Sequence, residues 1–122
     1  IVDIFEAAIQ GTAGGLDLRM LPGASACVIA ASAGYPGRYT AGQPIAGLEG
    51  VVEGTSLAVF HSGTAERGSE CVTAGGRVLG VAAAAADLRT ALDEAYAALA
   101  GIHFDGMLYR RDIGWRALRP QP

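Results

Sequence analysis

The sequence contains no lysine, so its nine basic residues are all arginine. They are outnumbered by twelve acidic residues, and the formal net charge is −3. No basic block is present, whereas binding to nucleic acid or to an anionic membrane surface requires clustered positive charge. The composition therefore argues against both kinds of partner. We attribute the absence of lysine to a GC-rich coding bias rather than to chemistry.

The sequence also lacks a signal-peptide pattern and any apolar stretch long enough to span a bilayer. Its two cysteines, Cys27 and Cys71, have no Cys-x-x-Cys motif or histidine cluster around them. Cys27 lies in the apolar run 26–31, which predicts an inert, buried thiol. We expect a reduced, cytoplasmic protein. Because the chain begins with Ile1 and enters a helical pattern at once, we also expect it to be a piece of a longer protein.

Apolar residues make up 51% of the chain, enough to form a core without disulfides or metals. Helical periodicity appears at residues 2–9 and again at 87–99, the second segment having Asp87 as N-cap and Gly101 as C-cap. Strands are predicted at five short apolar runs, 25–32, 57–60, 71–73, 77–81 and 102–104. We expect the middle strands to form an antiparallel meander. The pattern predicts one small α+β domain with a helix packed on an antiparallel sheet.

Motifs of common catalytic sites are not found. No nucleophile elbow is present, and the glycine-rich stretches lack the Gly-Lys-Ser/Thr ending of a phosphate-binding loop. His61 and His103 are far apart and lack metal-ligand spacing, so each is interpreted as a surface residue or a hydrogen-bonded core residue. The sequence predicts no catalytic residue and no metal ligand within this chain.

A rigid turn at Tyr35-Pro36-Gly37 is a first candidate for ligand binding. Gly34 and Gly37 permit positive φ, and Pro36 fixes the backbone between them. Such a turn can direct main-chain N–H groups towards an anion. A plain tight turn is the alternative interpretation.

The charged segment Arg110-Arg111-Asp112 is the second candidate. Adjacent arginines suit bidentate binding of a phosphate group. Asp112 could hold one guanidinium in place or only cap a turn. A solvated run of surface charges is the alternative interpretation.

Four ordered motifs together are similar to one known family: residues 30–37 with 42–48, residues 59–64, residues 72–81, and residues 109–117. These segments begin with Ala-Ala-Ser-Ala-Gly-Tyr-Pro-Gly and close with Tyr-Arg-Arg-Asp-Ile-Gly-Trp-Arg-Ala. The chain resembles the C-terminal domain of phosphoribosylamine–glycine ligase, also called glycinamide ribonucleotide synthetase. The related C-terminal domain of biotin-dependent carboxylases shares the half-barrel architecture but lacks this ending.

The resemblance implies an ATP-grasp ligase of purine biosynthesis. ATP would phosphorylate the carboxylate of glycine, and the amine of 5-phosphoribosylamine would attack the resulting glycyl phosphate. ATP and Mg²⁺ would be bound by upstream ATP-grasp domains, and the fragment would be inactive alone. Residues 1–14 would be the last helix and linker of the ATP-grasp core. Residues 15–122 would be the C-terminal domain, a small antiparallel sheet of half-barrel (rudiment single hybrid motif) type with one main helix.

The resemblance also implies roles for the two candidates. By analogy with related enzymes that close on a basic pair, Arg110 and Arg111 would bind the 5-phosphate of phosphoribosylamine. Tyr35, Pro36, Gly37 and His61 would line the same pocket. The alternative is a non-catalytic module that only packs against the ATP-grasp core.

Overall fold

A computed structural model describes residues 1–119 of the chain. Its helices and strands are α1 (Val2–Ile9), β1 (Ala24–Ala31), β2 (Leu57–His61), β3 (Thr64–Arg67), β4 (Glu70–Thr73), β5 (Arg77–Ala85) and α2 (Leu88–Ala100). Short 3₁₀ turns lie at Ala13–Gly15 and Leu48–Gly50. The predicted α+β class, with one main helix on a small antiparallel sheet, is confirmed.

Strand β5 is the centre of the main sheet, which has the order β1-β5-β2 with antiparallel pairing throughout. Val81 of β5 lies opposite Val28 on one side and Val59 on the other. Strands β3 and β4 form a separate hairpin. The predicted meander is therefore wrong, because β5 pairs with β1 and β2 rather than with its predecessor in the chain.

Helix α2 packs on β1 and β5 and closes the core. Asp87 is the N-cap of this helix, as predicted, since its carboxylate accepts a hydrogen bond from the Thr90 N–H at 2.9 Å. This bond stabilises the charged carboxylate and lowers the pKa of Asp87. Gly101 ends the helix as predicted, although its backbone stays right-handed. The largest fully buried side chains of the core are those of Phe104, Leu79, Leu99, Ile102, Val28, Val78 and Val81.

Two predictions about local structure need correction. The segment 102–104 makes a single bridge, between His103 and Ala46, rather than a strand. Cys27 is exposed, because side chains alternate along β1 and those of Val28 and Ala30 face the core. The burial prediction was wrong because both faces of β1 carry apolar residues, which conceals the alternation.

Candidate functional site

The turn after β1 is held against the turn before β5. The Ser32 N–H donates to the Gly76 carbonyl at 2.8 Å, and the Ser32 hydroxyl donates to the Gly75 carbonyl at 2.9 Å. Within the turn, the Gly37 N–H donates to the Gly34 carbonyl at 2.7 Å. The predicted positive φ occurs at Gly34, where it is 89°, but not at Gly37. The Tyr35–Pro36 peptide bond is cis.

Gly76 makes room for the ring of Tyr35. A Cβ atom at this position would collide with Tyr35 Cδ2 and would lie 3.1 Å from Tyr39 Cε1. We expect Gly76→Ala to lower the free energy of unfolding by about 1–2 kcal/mol, because the tyrosine ring must leave its place. Urea denaturation measures this loss.

The control for this prediction is the same substitution in a Tyr35→Ala background. In that background the collision is removed and only the Tyr39 contact remains, so Gly76→Ala should lower the free energy of unfolding much less. An equal cost in both backgrounds would show that Tyr35 is not the obstacle.

The arginine loop, residues 109–114, follows an extension of the sheet. Leu108 forms an antiparallel bridge with Ala31 at the edge of β1 that β5 leaves free, with hydrogen bonds of 2.8 and 2.9 Å. Two residues later, Arg110 donates from Nε and Nη2 to the two carboxylate oxygens of Asp112 at 2.8 and 2.7 Å. Asp112 thus holds one guanidinium in place, one of the two roles considered for it.

The pKa values of this ion pair shift in the directions that the geometry requires. Hydrogen bonds from Arg110 stabilise the carboxylate and lower the pKa of Asp112, while the carboxylate raises the pKa of Arg110. Both groups are therefore charged at neutral pH. The pair is exposed, so its role is to orient Arg110 rather than to stabilise the fold.

Arg111 has a different environment. Its guanidinium lies 5.2 Å from the centre of the Tyr109 ring, a cation–π distance. Within residues 1–119, no carboxylate lies close enough to Arg111 to form a salt bridge. Its five N–H donors are thus not committed to a described anion.

A groove of about 390 Å³ brings the turn and the arginine loop together. Its lining residues are Ile29, Ala31, Tyr35, Arg77, Leu108, Tyr109 and Arg110. The floor is apolar and the two arginines are charged, which suits a small organic anion. Arg77 was not predicted as a site residue. It lines the groove because Ala31 pairs with Arg77 on one side and with Leu108 on the other. No sequence spacing signals this arrangement.

The remaining predicted residues do not line the groove. His61 ends β2, and its Nδ1 lies 2.9 Å from the Thr64 hydroxyl oxygen. Pro36 and Gly37 belong to the turn but are not among the lining residues. Arg111 is not among them either, although it follows Arg110 in the chain and its guanidinium lies over the Tyr109 ring.

A cavity of about 620 Å³, larger than the groove, lies beside α2 and has Glu49 and Glu94 among its lining residues. These carboxylates would repel an anionic ligand, so we place the candidate site in the arginine-lined groove. Across residues 1–119, no group of three His, Cys, Asp or Glu side chains could hold a metal ion. Nor is any helix in that range long and apolar enough to cross a membrane.

The structure is a small α+β domain with one candidate groove, and comparisons with known proteins identify its family. The family model for "phosphoribosylglycinamide synthetase, C domain" matches residues 25–116. The chain belongs to this family, which confirms the resemblance found in the sequence. The match covers all of β1 except Ala24, the other four strands, α2, the Tyr35 turn and the whole arginine loop.

Individual relatives agree with this assignment. The chain is 44% identical over 119 residues to phosphoribosylamine–glycine ligase of Chlorobaculum tepidum, covering 95% of this chain and 28% of the relative. It is 44% identical over 121 residues to the human trifunctional purine biosynthetic protein adenosine-3, covering 95% of this chain and 12% of the relative. The crystal structure of phosphoribosylamine–glycine ligase from Thermotoga maritima superimposes with a TM-score of 0.68 at 29% identity, over 88% of this chain and 27% of that one.

Proposed function

We propose that this domain is the C-terminal part of an ATP-dependent ligase that joins glycine to 5-phosphoribosylamine in purine biosynthesis, and that its groove receives phosphoribosylamine. The chain spans about a quarter of the length of single-function ligases that it matches. The reaction would therefore be carried out by a longer protein, in the cytoplasm, and the domain alone would be inactive.

One observation carries the proposal: residues from three of the four sequence motifs line a single groove. Tyr35 comes from the first motif and Arg110 from the last, and Arg77 joins them from β5. A phosphate ester offers three acceptor oxygens to guanidinium groups, and a ribose offers an apolar face to an aliphatic floor. Such a groove would hold the phosphoribosyl end of the substrate and direct its amine towards glycine.

ATP and Mg²⁺ would be held outside this domain. The described residues supply no cluster of carboxylates or histidines that fits a metal ion. In this proposal the domain contributes binding and orientation, which lower the barrier by holding the amine near the carboxyl group it attacks. Glycine and the upstream ATP-grasp domains are the other proposed partners.

Helix α1 supports the proposed boundary, with residues 1–14 as the end of the ATP-grasp core and 15–122 as the C-terminal domain. Its main packing contacts are with the adjacent 3₁₀ turn. Phe5 is 60% exposed and Ile9 is 87% exposed, and both lie on its apolar face. An apolar face left open on this domain is available to another part of the ligase.

A module that only packs against the ATP-grasp core is the second candidate. It is favoured by the apolar outer face of the main sheet, where Phe60 is 58% exposed and Cys27 and Ile29 are also exposed. Both candidates allow such packing. They differ in whether the arginines affect substrate binding.

Arg111→Ala in the complete ligase distinguishes the two candidates. We expect the KM for 5-phosphoribosylamine to rise about 10-fold, because a charge-assisted hydrogen bond contributes about 1.5–3 kcal/mol. The KM values for ATP and glycine should stay nearly unchanged. Steady-state kinetics with each substrate varied in turn measures all three.

Arg116→Ala is the matched control, since the Arg116 guanidinium also lies over an aromatic ring, that of Trp115. Trp115 does not line the groove, whereas Tyr109, over which Arg111 lies, does. It should leave all three KM values near those of the wild type. An unchanged KM for phosphoribosylamine in Arg111→Ala would favour the packing module.

A further inference from the structure

The hydroxyl of Tyr96 connects helix α2 to the arginine loop. It donates a hydrogen bond to the Arg110 carbonyl at 2.7 Å and accepts one from the Ile113 N–H at 3.3 Å. These two backbone groups flank Arg111 and Asp112. One side chain thus fixes the loop backbone on both sides of the residues that carry its charge.

The Tyr96 ring reaches the same loop by a second route. Its centre lies 6.2 Å from the centre of the Tyr109 ring, with 39° between the ring planes. The Arg111 guanidinium lies over the Tyr109 ring. Tyr96, Tyr109 and Arg111 therefore form a continuous series of contacts from the helix to the guanidinium. Both tyrosines also pack against the hydrophobic core, so the series begins on the core of the domain.

The rest of the loop is anchored just beyond these contacts. Gly114 has a φ of 76° and lies against Leu92 of α2, a residue one helical turn before Tyr96. The Trp115 N–H donates to the Asp112 carbonyl at 3.3 Å. Without the Tyr96 hydroxyl, residues 110–113 would keep the ion pair but lose their two hydrogen bonds to the helix.

We propose that Tyr96 is a positioning residue for Arg111, acting through the backbone of the arginine loop and the Tyr109 ring. This inference rests on the proposed function, since it assigns Tyr96 a part in binding the phosphate of phosphoribosylamine. Tyr96 does not line the groove and is assigned no contact with substrate. Its part is to hold Arg111 in the direction that the phosphate requires, while Asp112 orients Arg110.

Tyr96→Phe in the complete ligase tests the inference, because it removes the hydroxyl and keeps the ring. We expect the KM for 5-phosphoribosylamine to rise about 5-fold, as two neutral hydrogen bonds to the loop are lost. The KM values for ATP and glycine should change less than 2-fold. Amide hydrogen exchange at Ile113 should accelerate, which reports directly on the loop.

A double-mutant cycle with Arg111→Ala separates positioning from a general structural effect. If Tyr96 acts through the arginine, its substitution should raise the KM much less in the Arg111→Ala background than in the wild type. Thr90→Val serves as control. It removes a hydroxyl from the same helix, but this hydroxyl donates to the Asp87 carboxylate and not to the arginine loop. It should leave the KM for phosphoribosylamine unchanged.

The outcomes distinguish this inference from the function on which it rests. If Arg111→Ala raises the KM and Tyr96→Phe does not, the positioning role is overturned and the proposed function stands. The positioning role is also overturned if Tyr96→Phe raises all three KM values alike, or if the two substitutions are additive. If neither substitution raises the KM for phosphoribosylamine, the proposed function is contradicted, and the positioning role is overturned with it.

Discussion

Replacing Arg77 and Arg110 together with alanine is expected to raise the KM for 5-phosphoribosylamine in the complete ligase by about 100-fold or more. The two arginines line the groove from either side of Ala31, and each would supply a charge-assisted hydrogen bond contributing about 1.5–3 kcal/mol. The KM values for ATP and glycine should remain close to wild type. Initial rates with phosphoribosylamine varied at saturating ATP and glycine give the required comparison.

The control for this pair is Arg67→Ala combined with Arg89→Ala, which removes the same total charge. Arg67 Nη2 lies 3.7 Å from Glu70 Oε2 at the exposed end of the hairpin, and Arg89 is exposed on α2. Their loss should leave the KM for phosphoribosylamine nearly unchanged. An equal rise in both double variants would mean that overall charge attracts the substrate and that the groove does not bind it.

The sequence predicted individual elements of this fold more successfully than their pairing. Helix α2 follows from a periodic apolar stripe and from the N-cap Asp87, and both are local signals. Pairing depends on contacts between distant segments. Nothing local shows that β5 separates β1 from β2, or that β3 and β4 form their own hairpin.

The length of β5 shows how tertiary contacts override local preference. Its last residues belong to an alanine-rich run, a composition that favours helix in isolation. In the structure, residues 82–85 extend the strand, because each pairs with a residue of β1 and Ala83 faces the core. The prediction ended this strand at Val81, four residues too early.

The candidate site was predicted in parts but not as a whole. The turn at Tyr35 and the arginine loop each carry unusual local composition, so the sequence indicates both. Their meeting depends on the bridge between Ala31 and Leu108, and the addition of Arg77 depends on the register of β5 against β1. The placement of His61 with Thr64, outside the groove lining, likewise depends on the sheet.

Gly47→Ala is expected to lower the free energy of unfolding by about 3 kcal/mol, the largest effect on stability among the substitutions considered. Gly47 has a φ of 84°, and a left-handed backbone costs a residue with a Cβ about 1–2 kcal/mol. Its new methyl group would also collide with the backbone carbonyl oxygen of Gly101, which cannot rotate away as a side chain could. Urea denaturation of the wild type and the variant measures the difference.

Gly50→Ala is the matched control, since a Cβ there meets no atom within 4 Å and its φ is not positive. That substitution should be neutral or slightly stabilising, because alanine restricts the unfolded chain. A comparable loss at both glycines would contradict the close approach of Gly47 to Gly101. The expected difference has a structural origin. Ala46, beside Gly47, exchanges backbone hydrogen bonds of 2.8 and 3.0 Å with His103. These bonds hold the segment that follows the Tyr35 turn against the residues that follow α2. A glycine is required at the point where these two backbones meet.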